Sequence, residues 1–303
     1  MSDPKVSIIM RSMNEAWALR DTLPMVQRQD YTNWELIVID SGSQDGSQEL
    51  IRRANPQHFV QIQPHDYVPG RVLNMGLSLA ASPWCVFLNS DATPANTTWL
   101  RPLLEALSKP NTAACFGRQM PRPDCQPAFA AEYDRCFGPG RKAESWPHFF
   151  SMVSSGLRRE IWEKRGFRED LQYAEDDEYT RWCKAQSYEI TYVPASAVFH
   201  SHNYTSQQVW KRAFEDARAI GRAWTGGRQK YNWCRTVLAG TLKDLLADAA
   251  YLRRHRQLGA LPEVAICRWL QRRARLAGFR KGWKEVHMEG AADRRIKCMR
   301  KDL

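Results

Sequence analysis

Asp91 is the acidic residue best placed to do chemistry, because it lies just after the apolar run Cys85–Leu88 within the segment LNSDATP. A carboxylate at the end of a buried strand suits Mg²⁺ or Mn²⁺ bridging to a diphosphate, since hard cations prefer oxygen ligands. His200 follows a second strand-like region, Ile190–Val198, and imidazole is a suitable ligand for Mn²⁺. Each residue alone is compatible with a structural role, but together they predict a divalent-cation site.

Two further short segments carry groups that could do chemistry. The run Glu175-Asp176-Asp177-Glu178 could supply a general base, or it could begin a helix whose dipole its carboxylates complement. Adjacent acids raise one another's pKa whereas a helix N-terminus lowers it, so the sequence leaves the direction of the shift open. The segment His200-Ser201-His202 offers a second imidazole close to the first.

The elements that must position these groups have the pattern of a parallel α/β sheet. Three apolar runs, Val6–Met10, Leu36–Ile39 and Cys85–Leu88, alternate with helical stretches such as Asn14–Arg28. A capping box formed by Asp45 and Gln48 predicts the start of another helix, which runs through residue 54.

Polar residues follow each of the three predicted strands. Ser12 comes after the first strand, Asp40 ends the second, and Asn89 precedes Asp91 after the third. Ligands of parallel α/β sheets bind at the carboxyl ends of the strands. The sequence therefore predicts a polar cleft at this edge of the sheet.

Charge is distributed unevenly along the 303 residues. Residues 225–303 hold 19 Lys and Arg against 7 Asp and Glu, a net charge of +12, whereas residues 1–224 are near neutral at −1. Such asymmetry indicates either an anionic partner, nucleic acid or lipid headgroups, or a well-solvated helical face. A composition of 43% hydrophobic and 25% charged residues excludes a chain that is disordered throughout.

The chain start lacks the pattern of a secretory signal, and the eight cysteines include no C-x-x-C pair. The longest uncharged stretch, Val72–Ser90, is interrupted by Pro83 and reads as a helix end, a turn and a buried strand. We therefore expect a cytoplasmic protein with reduced thiols, and neither a disulfide framework nor a zinc site.

From Ser206 onward the chain reads as helical, which predicts a domain of residues 1–205 followed by a basic helical extension of residues 206–303. A third helix, about Val264 to Phe279, is interrupted on its apolar side by Arg273. The two clearer helices have these residues at helical spacing: Trp210, Ala213, Phe214, Ala217, Gly221 and Trp224 in one, and Leu238, Thr241, Leu242, Leu245, Leu246 and Ala249 in the other.

Six segments in chain order resemble the motifs of the inverting family-2 glycosyltransferases of the GT-A fold: VSIIMRSMNEA, ELIVIDSGSQDGS, GRVLNMG, FLNSDATP, AEDDEYTRW and VFHSH. The resemblance covers about residues 5 to 205. Within that family, IDSGSQDGS, LNSDA and FGRQMPRPDCQP are similar to the bacterial dTDP-rhamnose transferases of surface-polysaccharide assembly. The resemblance implies an α/β fold with a Rossmann-like, nucleotide-binding mixed sheet flanked by helices, followed by a mostly helical C-terminal extension.

The resemblance also implies which residues bind the nucleotide-sugar donor. Ser12 and Asp40 would line the nucleotide pocket, with Asp40 facing the base. Arg71 and Asn74 of GRVLNMG would face the donor phosphates. One departure lies in this pocket, where Arg11-Ser12-Met13 stands in place of the usual proline-threonine-tyrosine and removes an aromatic wall.

The remaining matched residues imply the chemistry. Asp91 matches the second acid of the family's D-x-D motif and would hold Mg²⁺ or Mn²⁺, with His200 completing the metal site. Asp176, the second residue of the Glu-Asp motif, would deprotonate the acceptor hydroxyl. The first D-x-D acid is replaced by Asn89, which can hydrogen-bond a ribose but brings no charge.

The resemblance thus implies an enzyme that transfers a sugar, with rhamnose from dTDP-rhamnose as the best candidate, to a saccharide or lipid-linked acceptor. Three alternatives stay open: a UDP-hexose or UDP-N-acetylhexosamine transferase, a noncatalytic family member, and a non-enzymatic polyanion-binding protein. The chain carries no recognised nucleic-acid motif, so no nucleic-acid partner is expected. The basic extension instead predicts peripheral attachment at the inner face of the cytoplasmic membrane.

Overall fold

A mixed eight-stranded sheet forms the centre of the first part of the chain in the computed structural model, which describes residues 5–145, 149–223 and 232–299. The strand order is β3-β2-β1-β4-β7-β6-β8-β5. The strands are β1 Val6–Ser12, β2 Trp34–Asp40, β3 His58–Gln61, β4 Trp84–Asn89, β5 Thr93–Pro94, β6 Thr112–Met120, β7 Ser154–Arg158 and β8 Glu189–Phe199.

The first four strands form a parallel half-sheet, as the apolar runs predict. β1 lies between β2 and β4, and β2 also pairs with β3. Alternate residues of β1 face opposite sides, so that Ile8 packs in one apolar cluster and Ile9 in the other. Because helices cover both faces, the central residues of β1, β2 and β4 are apolar in succession rather than alternating with polar ones.

The other half of the sheet is largely antiparallel. β7 pairs antiparallel with both β4 and β6, while β8 runs parallel to β6 and antiparallel to β5. The register between β6 and β8 shifts after Gly117, where any Cβ would collide with the carbonyl oxygen of Ser196. The mixed sheet flanked by helices confirms the predicted fold class. Its strand β8 ends at Phe199, immediately before His200.

Eleven α-helices surround or follow the sheet within the described residues. The helices are α1 Ala16–Gln27, α2 Ser47–Arg53, α3 Pro69–Leu79, α4 Leu100–Leu107, α5 Pro127–Phe137, α6 Lys142–Ser145, α7 Arg159–Lys164, α8 Glu175–Ala185, α9 Ser206–Ala223, α10 Gly240–Arg254 and α11 Leu261–Met299. A π-helical turn, Cys234–Ala239, runs directly into α10.

The contacts within the chain define two compact units. The first ends at Ser201 and the second begins at His202, but Gln126–Glu132 groups with the second unit. The helical character of the C-terminal region is as predicted. The division into a catalytic domain of residues 1–205 and an extension of residues 206–303 remains a prediction about function.

Two helical details differ from the sequence-based expectations, and one expected residue cannot be compared. Gly46, not Asp45, occupies the cap position of α2, because the Asp45 carboxylate instead accepts bonds from the backbone N–H groups of Ala16 and Ser47, at 2.9 and 3.0 Å. The third C-terminal helix extends well beyond Phe279, to Met299. Trp224 of the predicted apolar stripe lies outside the described residues.

Small residues let α9 and α11 of the second unit approach closely. A Cβ on Gly278 would collide with the carbonyl oxygen of Phe214, and one on Gly282 with that of Arg218. Backbones that come this close gain dispersion contacts which a larger side chain would prevent. Within the described residues, no helix combines the length and the apolar character needed to cross a membrane.

Candidate active site

The carboxyl ends of the parallel strands bring three of the predicted nucleotide-binding residues together. Ser12 lies opposite Asp40 in the pairing of β1 with β2, and Asn89 lies opposite Arg11 in the pairing of β1 with β4. Ser12 is 3% exposed, and its hydroxyl has no hydrogen-bond partner among the described residues. A buried hydroxyl without a partner is unfavourable, so this position favours a bound polar group.

Asp40 organises the turn that follows β2. Its carboxylate accepts hydrogen bonds from the backbone N–H groups of Gly42 and Ser43, at 3.1 and 2.9 Å, and from the Gln48 amide at 3.2 Å. Gly42 has a φ of 85°, a conformation that favours glycine. Asp40 thereby shapes the wall of the predicted pocket, while its contact with the base stays a prediction.

Asp91 and His200 meet at the same edge of the sheet. The Asp91 Oδ2 and His200 Nε2 atoms are 3.3 Å apart, and both side chains are buried. Two adjacent ligands of an octahedral cation, each at about 2.1 Å from it, lie about 3.0 Å apart. The pair therefore has the separation and donor chemistry that a shared divalent cation requires.

Gln119, which the sequence did not indicate, orients His200. Its Oε1 lies 2.9 Å from His200 Nδ1, and its amide donates to the Ser151 hydroxyl at 2.7 Å. An imidazole that donates Nδ1–H to Gln119 leaves the Nε2 lone pair directed toward Asp91. Metal-binding histidines are commonly held in this way by their second ring nitrogen. Tyr133 Oη is 3.1 Å from the same Nδ1.

Arg11, at the position where the sequence departs from the family motif, connects the strand end before Asp91 with the acidic run. It donates to Asn89 Oδ1 at 3.0 Å, and its guanidinium lies 3.8 Å from Glu175 Oε1. A cation beside Asn89 supplies positive charge where the motif has lost a negative one. The only sequence signal for this contact was the unusual residue itself, because its partners lie 78 and 164 positions away.

Glu15 is a second residue that sequence reasoning missed. It accepts a hydrogen bond from Ser90, next to Asp91. Burial, and then the negative charge of Asp91, raise the pKa of Glu15 to about 8, although Ser90 and Arg11 act in the opposite direction. Glu15 is therefore largely protonated at neutral pH.

The acidic run begins α8, and its four members have different surroundings. Asp177 pairs with Arg181 at 2.8 Å, Glu178 pairs with Arg165, and Glu175 faces Arg11. Asp176 makes no ion pair with any side chain that the structure describes.

The surroundings of Asp176 give it an unusual pKa. Burial, and then the charge of Glu175, raise this pKa to about 7, against the lowering effects of the Asp177 N–H and Arg11. For Asp176, burial and the neighbouring charge thus outweigh the effect of the helix N-terminus. A carboxylate with a pKa near the working pH is suited to accept a proton in a general-base step.

The two residues of GRVLNMG lie apart from this cluster in their contacts. The Asn74 amide accepts from Trp162 Nε1 and Phe167 N–H, both at 2.9 Å, and donates to the Phe167 carbonyl at 2.9 Å and to Glu169 at 3.0 Å. Arg71 lies 3.5 Å from Glu169 in a half-exposed pair. The observed role of Asn74 is to hold the 162–169 segment. Contact of Asn74 with donor phosphates would require these bonds to break, and this predicted role stays a prediction.

Comparison with known proteins shows the family to which this chain belongs. The model described as "Glycosyl transferase family 2" matches residues 7–166, just over half of the chain. The chain belongs to glycosyl transferase family 2. It is 29% identical over 224 residues to the O-antigen chain rhamnosyltransferase WbaN of Salmonella anatum, and 27% identical to RfbN of Salmonella typhimurium; each match covers 70% of this chain and 71% of the relative.

Solved structures show the same fold. The mannosyltransferase PcManGT from Pyrobaculum calidifontis, in complex with GDP-Man and Mn²⁺, matches with a TM-score of 0.64 at 18% identity, over 94% of this chain and 88% of that one. TarS 1–349 of S. aureus, in complex with UDP-GlcNAc, matches with a TM-score of 0.52 at 14% identity, over 94% and 92%. These family-2 and GT-A assignments identify the protein as a nucleotide-sugar-dependent glycosyltransferase. They decide against the non-enzymatic polyanion-binding alternative.

Proposed function

We propose that this glycosyltransferase moves rhamnose from dTDP-rhamnose, with inversion, to a hydroxyl of a saccharide or lipid-linked acceptor in bacterial surface-polysaccharide synthesis. The observation that carries the reaction is the arrangement of Asp91 with His200 at the edge where β1, β2 and β4 end, connected through Arg11 to the start of α8, where Asp176 has no ion pair. The names of the two Salmonella relatives support rhamnose as the sugar.

Asp91 and His200 would hold Mg²⁺ or Mn²⁺, with His202, two residues along the chain, as the third ligand. The cation would supply charge stabilisation to the departing diphosphate. Ser12, Asp40 and Asn89 would contact the nucleoside, and Arg71 and Asn74 would lie toward the phosphates, as the resemblance implies.

Asp176 would act on the acceptor in a single displacement. Its carboxylate takes the proton of the acceptor hydroxyl while that oxygen forms a bond to the anomeric carbon. The bond from the anomeric carbon to the diphosphate oxygen breaks at the opposite face, and its electron pair leaves with the nucleoside diphosphate. The product therefore has the inverted anomeric configuration, and no covalent sugar–enzyme intermediate forms.

Peripheral attachment at the inner face of the cytoplasmic membrane belongs to the same proposal. The net charge of +12 in residues 225–303 suits an anionic leaflet, where each basic residue near the surface contributes roughly 1 kcal/mol. Such attachment would place the enzyme beside a lipid-linked acceptor.

A second donor class has specific support. The chain is 31% identical, over 30% of its length, to the UDP-Glc:alpha-D-GlcNAc-diphosphoundecaprenol β-1,3-glucosyltransferase WfgD of Escherichia coli. A UDP-hexose or UDP-N-acetylhexosamine is therefore the alternative donor on the same scaffold.

A donor panel with a matched pair of variants tests the proposal. Nucleotide release would be measured for dTDP-rhamnose, UDP-glucose and UDP-GlcNAc with Mn²⁺ and an acceptor. We expect dTDP-rhamnose to be preferred and Asp176→Asn to lose at least 100-fold in kcat. Asp177→Asn breaks the pair with Arg181 and removes a charge that raises the pKa of Asp176, but it should retain most activity. Preference for a UDP-sugar would favour the alternative donor. Activity in Asp176→Asn would contradict the assignment of the base, and no turnover with any donor would favour a noncatalytic member.

A further inference from the structure

Three leucines on α10 and in the turn that leads into it are exposed to solvent, although Leu252 of the same helix is fully buried. Leu238, in the turn that leads into it, is 49% exposed, and Leu242 and Leu246 are 59% and 66% exposed. The sequence marked these leucines as an apolar stripe at helical spacing, the pattern of a helix that packs on a core. In the structure they form an outward surface, which we call the α10 leucine face.

Two acidic side chains of α10 point inward, and each forms an ion pair with an arginine of α11. Asp248 is fully buried, and its carboxylate accepts from Arg268 Nε at 2.7 Å. Asp244 binds Arg272 through two bonds, at 2.7 and 2.8 Å. These pairs explain why the leucines face outward, because the helix can rotate its leucines into the core only by breaking both ion pairs.

The exposed charged side chains of the segment that carries the leucine face all have one sign. Between residues 235 and 254, all of which the structure describes, the exposed charged side chains are Arg235, Lys243, Arg253 and Arg254. The two acidic residues of this segment, Asp244 and Asp248, are those that form the inward ion pairs. The surface thus combines an apolar centre with a basic border.

We propose that the α10 leucine face is the surface with which this protein docks on an anionic lipid bilayer. Leucines would enter the headgroup and acyl boundary, while the basic border would meet lipid phosphates, as in interfacial amphipathic helices. A second copy of this chain would be a poorer occupant, since two such faces would bring basic borders together with no acids between them. The proposal deepens the peripheral attachment proposed above and does not depend on the sugar donor.

Co-sedimentation of the full chain with vesicles tests this at ~0.1 M salt, where exposed charges are already screened appreciably. The native protein is expected to bind phosphatidylglycerol vesicles and not phosphatidylcholine vesicles. Leu242→Gln/Leu246→Gln should lower the partition coefficient at least tenfold, whereas Leu242→Met/Leu246→Met, which keeps the apolar area, should bind like the native chain.

Two double variants that remove the same charge at different places test the contribution of the basic border to vesicle binding. Arg235→Gln/Lys243→Gln should weaken binding by about fivefold per residue, and Arg52→Gln/Arg53→Gln on α2, which removes the same charge elsewhere, should not. Equal binding to both vesicle types, or unchanged binding of the Leu→Gln variant, would overturn the proposal. A native dimer in size-exclusion chromatography that the Leu→Gln variant dissociates would also overturn it, in favour of a second copy.

Transfer to a water-soluble acceptor separates this proposal from the proposed function. The Leu→Gln variant should keep native turnover in solution, because its substitutions lie on a solvent-facing surface. Loss of vesicle binding with turnover retained supports the docking face. Vesicle binding by a protein that turns over no donor would leave the docking face supported and the proposed function rejected.

Discussion

Asp176 differs from its three acidic neighbours in making no ion pair with a described side chain, and its raised pKa of about 7 means that it changes charge near neutral pH. Glu175, Asp177 and Glu178 each face an arginine. A buried carboxylate without such a partner is unfavourable for stability when it is charged. The same environment raises the pKa of Asp176 to a value that suits proton acceptance, at some cost to the free energy of unfolding.

The pH dependence of both turnover and stability follows from this pKa. Turnover should rise with pH through an apparent pKa near 7, because only the ionised form accepts a proton. The folded pKa of about 7 lies above the unfolded value of about 3.9, so the folded state holds this proton more tightly. The carboxyl therefore contributes stability that is fully present below a pH of about 3.9 and is lost as the pH rises through 7. Asp176→Asn should thus melt higher than the native chain at pH 8, with the difference vanishing near pH 4. Thermal unfolding at the two pH values checks this, and an equal difference at both would contradict it.

The metal site gives a second prediction at the scale of single residues. Asp91→Asn should abolish the Mn²⁺-dependent rise in melting temperature measured without donor, and His200→Ala should weaken it. Gln119→Leu, which touches the site only through His200, should raise the Kd for Mn²⁺ by about 10- to 100-fold. His65→Ala, an exposed histidine outside the site, serves as the control. Unchanged Mn²⁺ affinity in Gln119→Leu would show that this glutamine does not position the ligand.

At the scale of elements, α3 and the segment that follows α7 depend on one amide. Asn74 bonds to Trp162, to both backbone groups of Phe167 and to Glu169, and so uses all of its hydrogen-bonding groups on a segment about 90 positions away. The next element along the chain is α8, which carries Asp176. This connection gives the GRVLNMG motif a structural role beside its predicted one toward phosphate.

Asn74→Ala should therefore destabilise the fold as well as affect activity. It leaves Trp162 Nε1 and the Phe167 N–H without their acceptor, and an unsatisfied buried polar group costs roughly 1–3 kcal/mol. Asn111→Ala, which removes one exposed bond to the Ser187 carbonyl, should cost less than about 1 kcal/mol. Urea unfolding of the two variants gives the comparison. Equal and small losses would mean that the Asn74 network contributes little to stability.

At the scale of the whole molecule, the chain is not divided where its composition changes. Gln126–Glu132 groups with the C-terminal unit, and Arg268 of that unit contacts this segment. Its guanidinium is fully buried, donates to Glu132 at 2.9 Å and to the Ala128 carbonyl, and pairs with Asp248. A buried guanidinium needs such partners to offset the loss of its hydration.

Arg268→Met should be among the most destabilising single substitutions in the second unit. It leaves Asp248 buried without its guanidinium, and breaking a buried pair costs about 3–5 kcal/mol. Arg272→Met breaks the more exposed pair with Asp244 and should cost less. The double variant Arg268→Met/Asp248→Leu should recover part of the loss, since it removes both buried charges. Chemical unfolding followed by circular dichroism measures all three, and a double variant less stable than Arg268→Met would contradict this account.

The sequence by itself determined the features that depend on neighbouring residues. The apolar runs predicted β1, β2 and β4, their polar ends predicted the edge that brings Ser12, Asp40 and Asn89 together, and six motifs in order identified the family. Local patterns suffice here because strand propensity, turn residues and motif spacing are all set within a few positions.

Only the tertiary structure decided the properties that arise from distant contacts. The pKa of Asp176 depends on what buries it, and the orientation of His200 depends on Gln119, 81 positions away. The apolar stripe of α10 was visible in the sequence, but the stripe alone could not show that three of its leucines face outward while acids of the same helix pair with α11. Periodicity identifies which residues share a helix face, whereas the partners of the opposite face determine which side meets solvent.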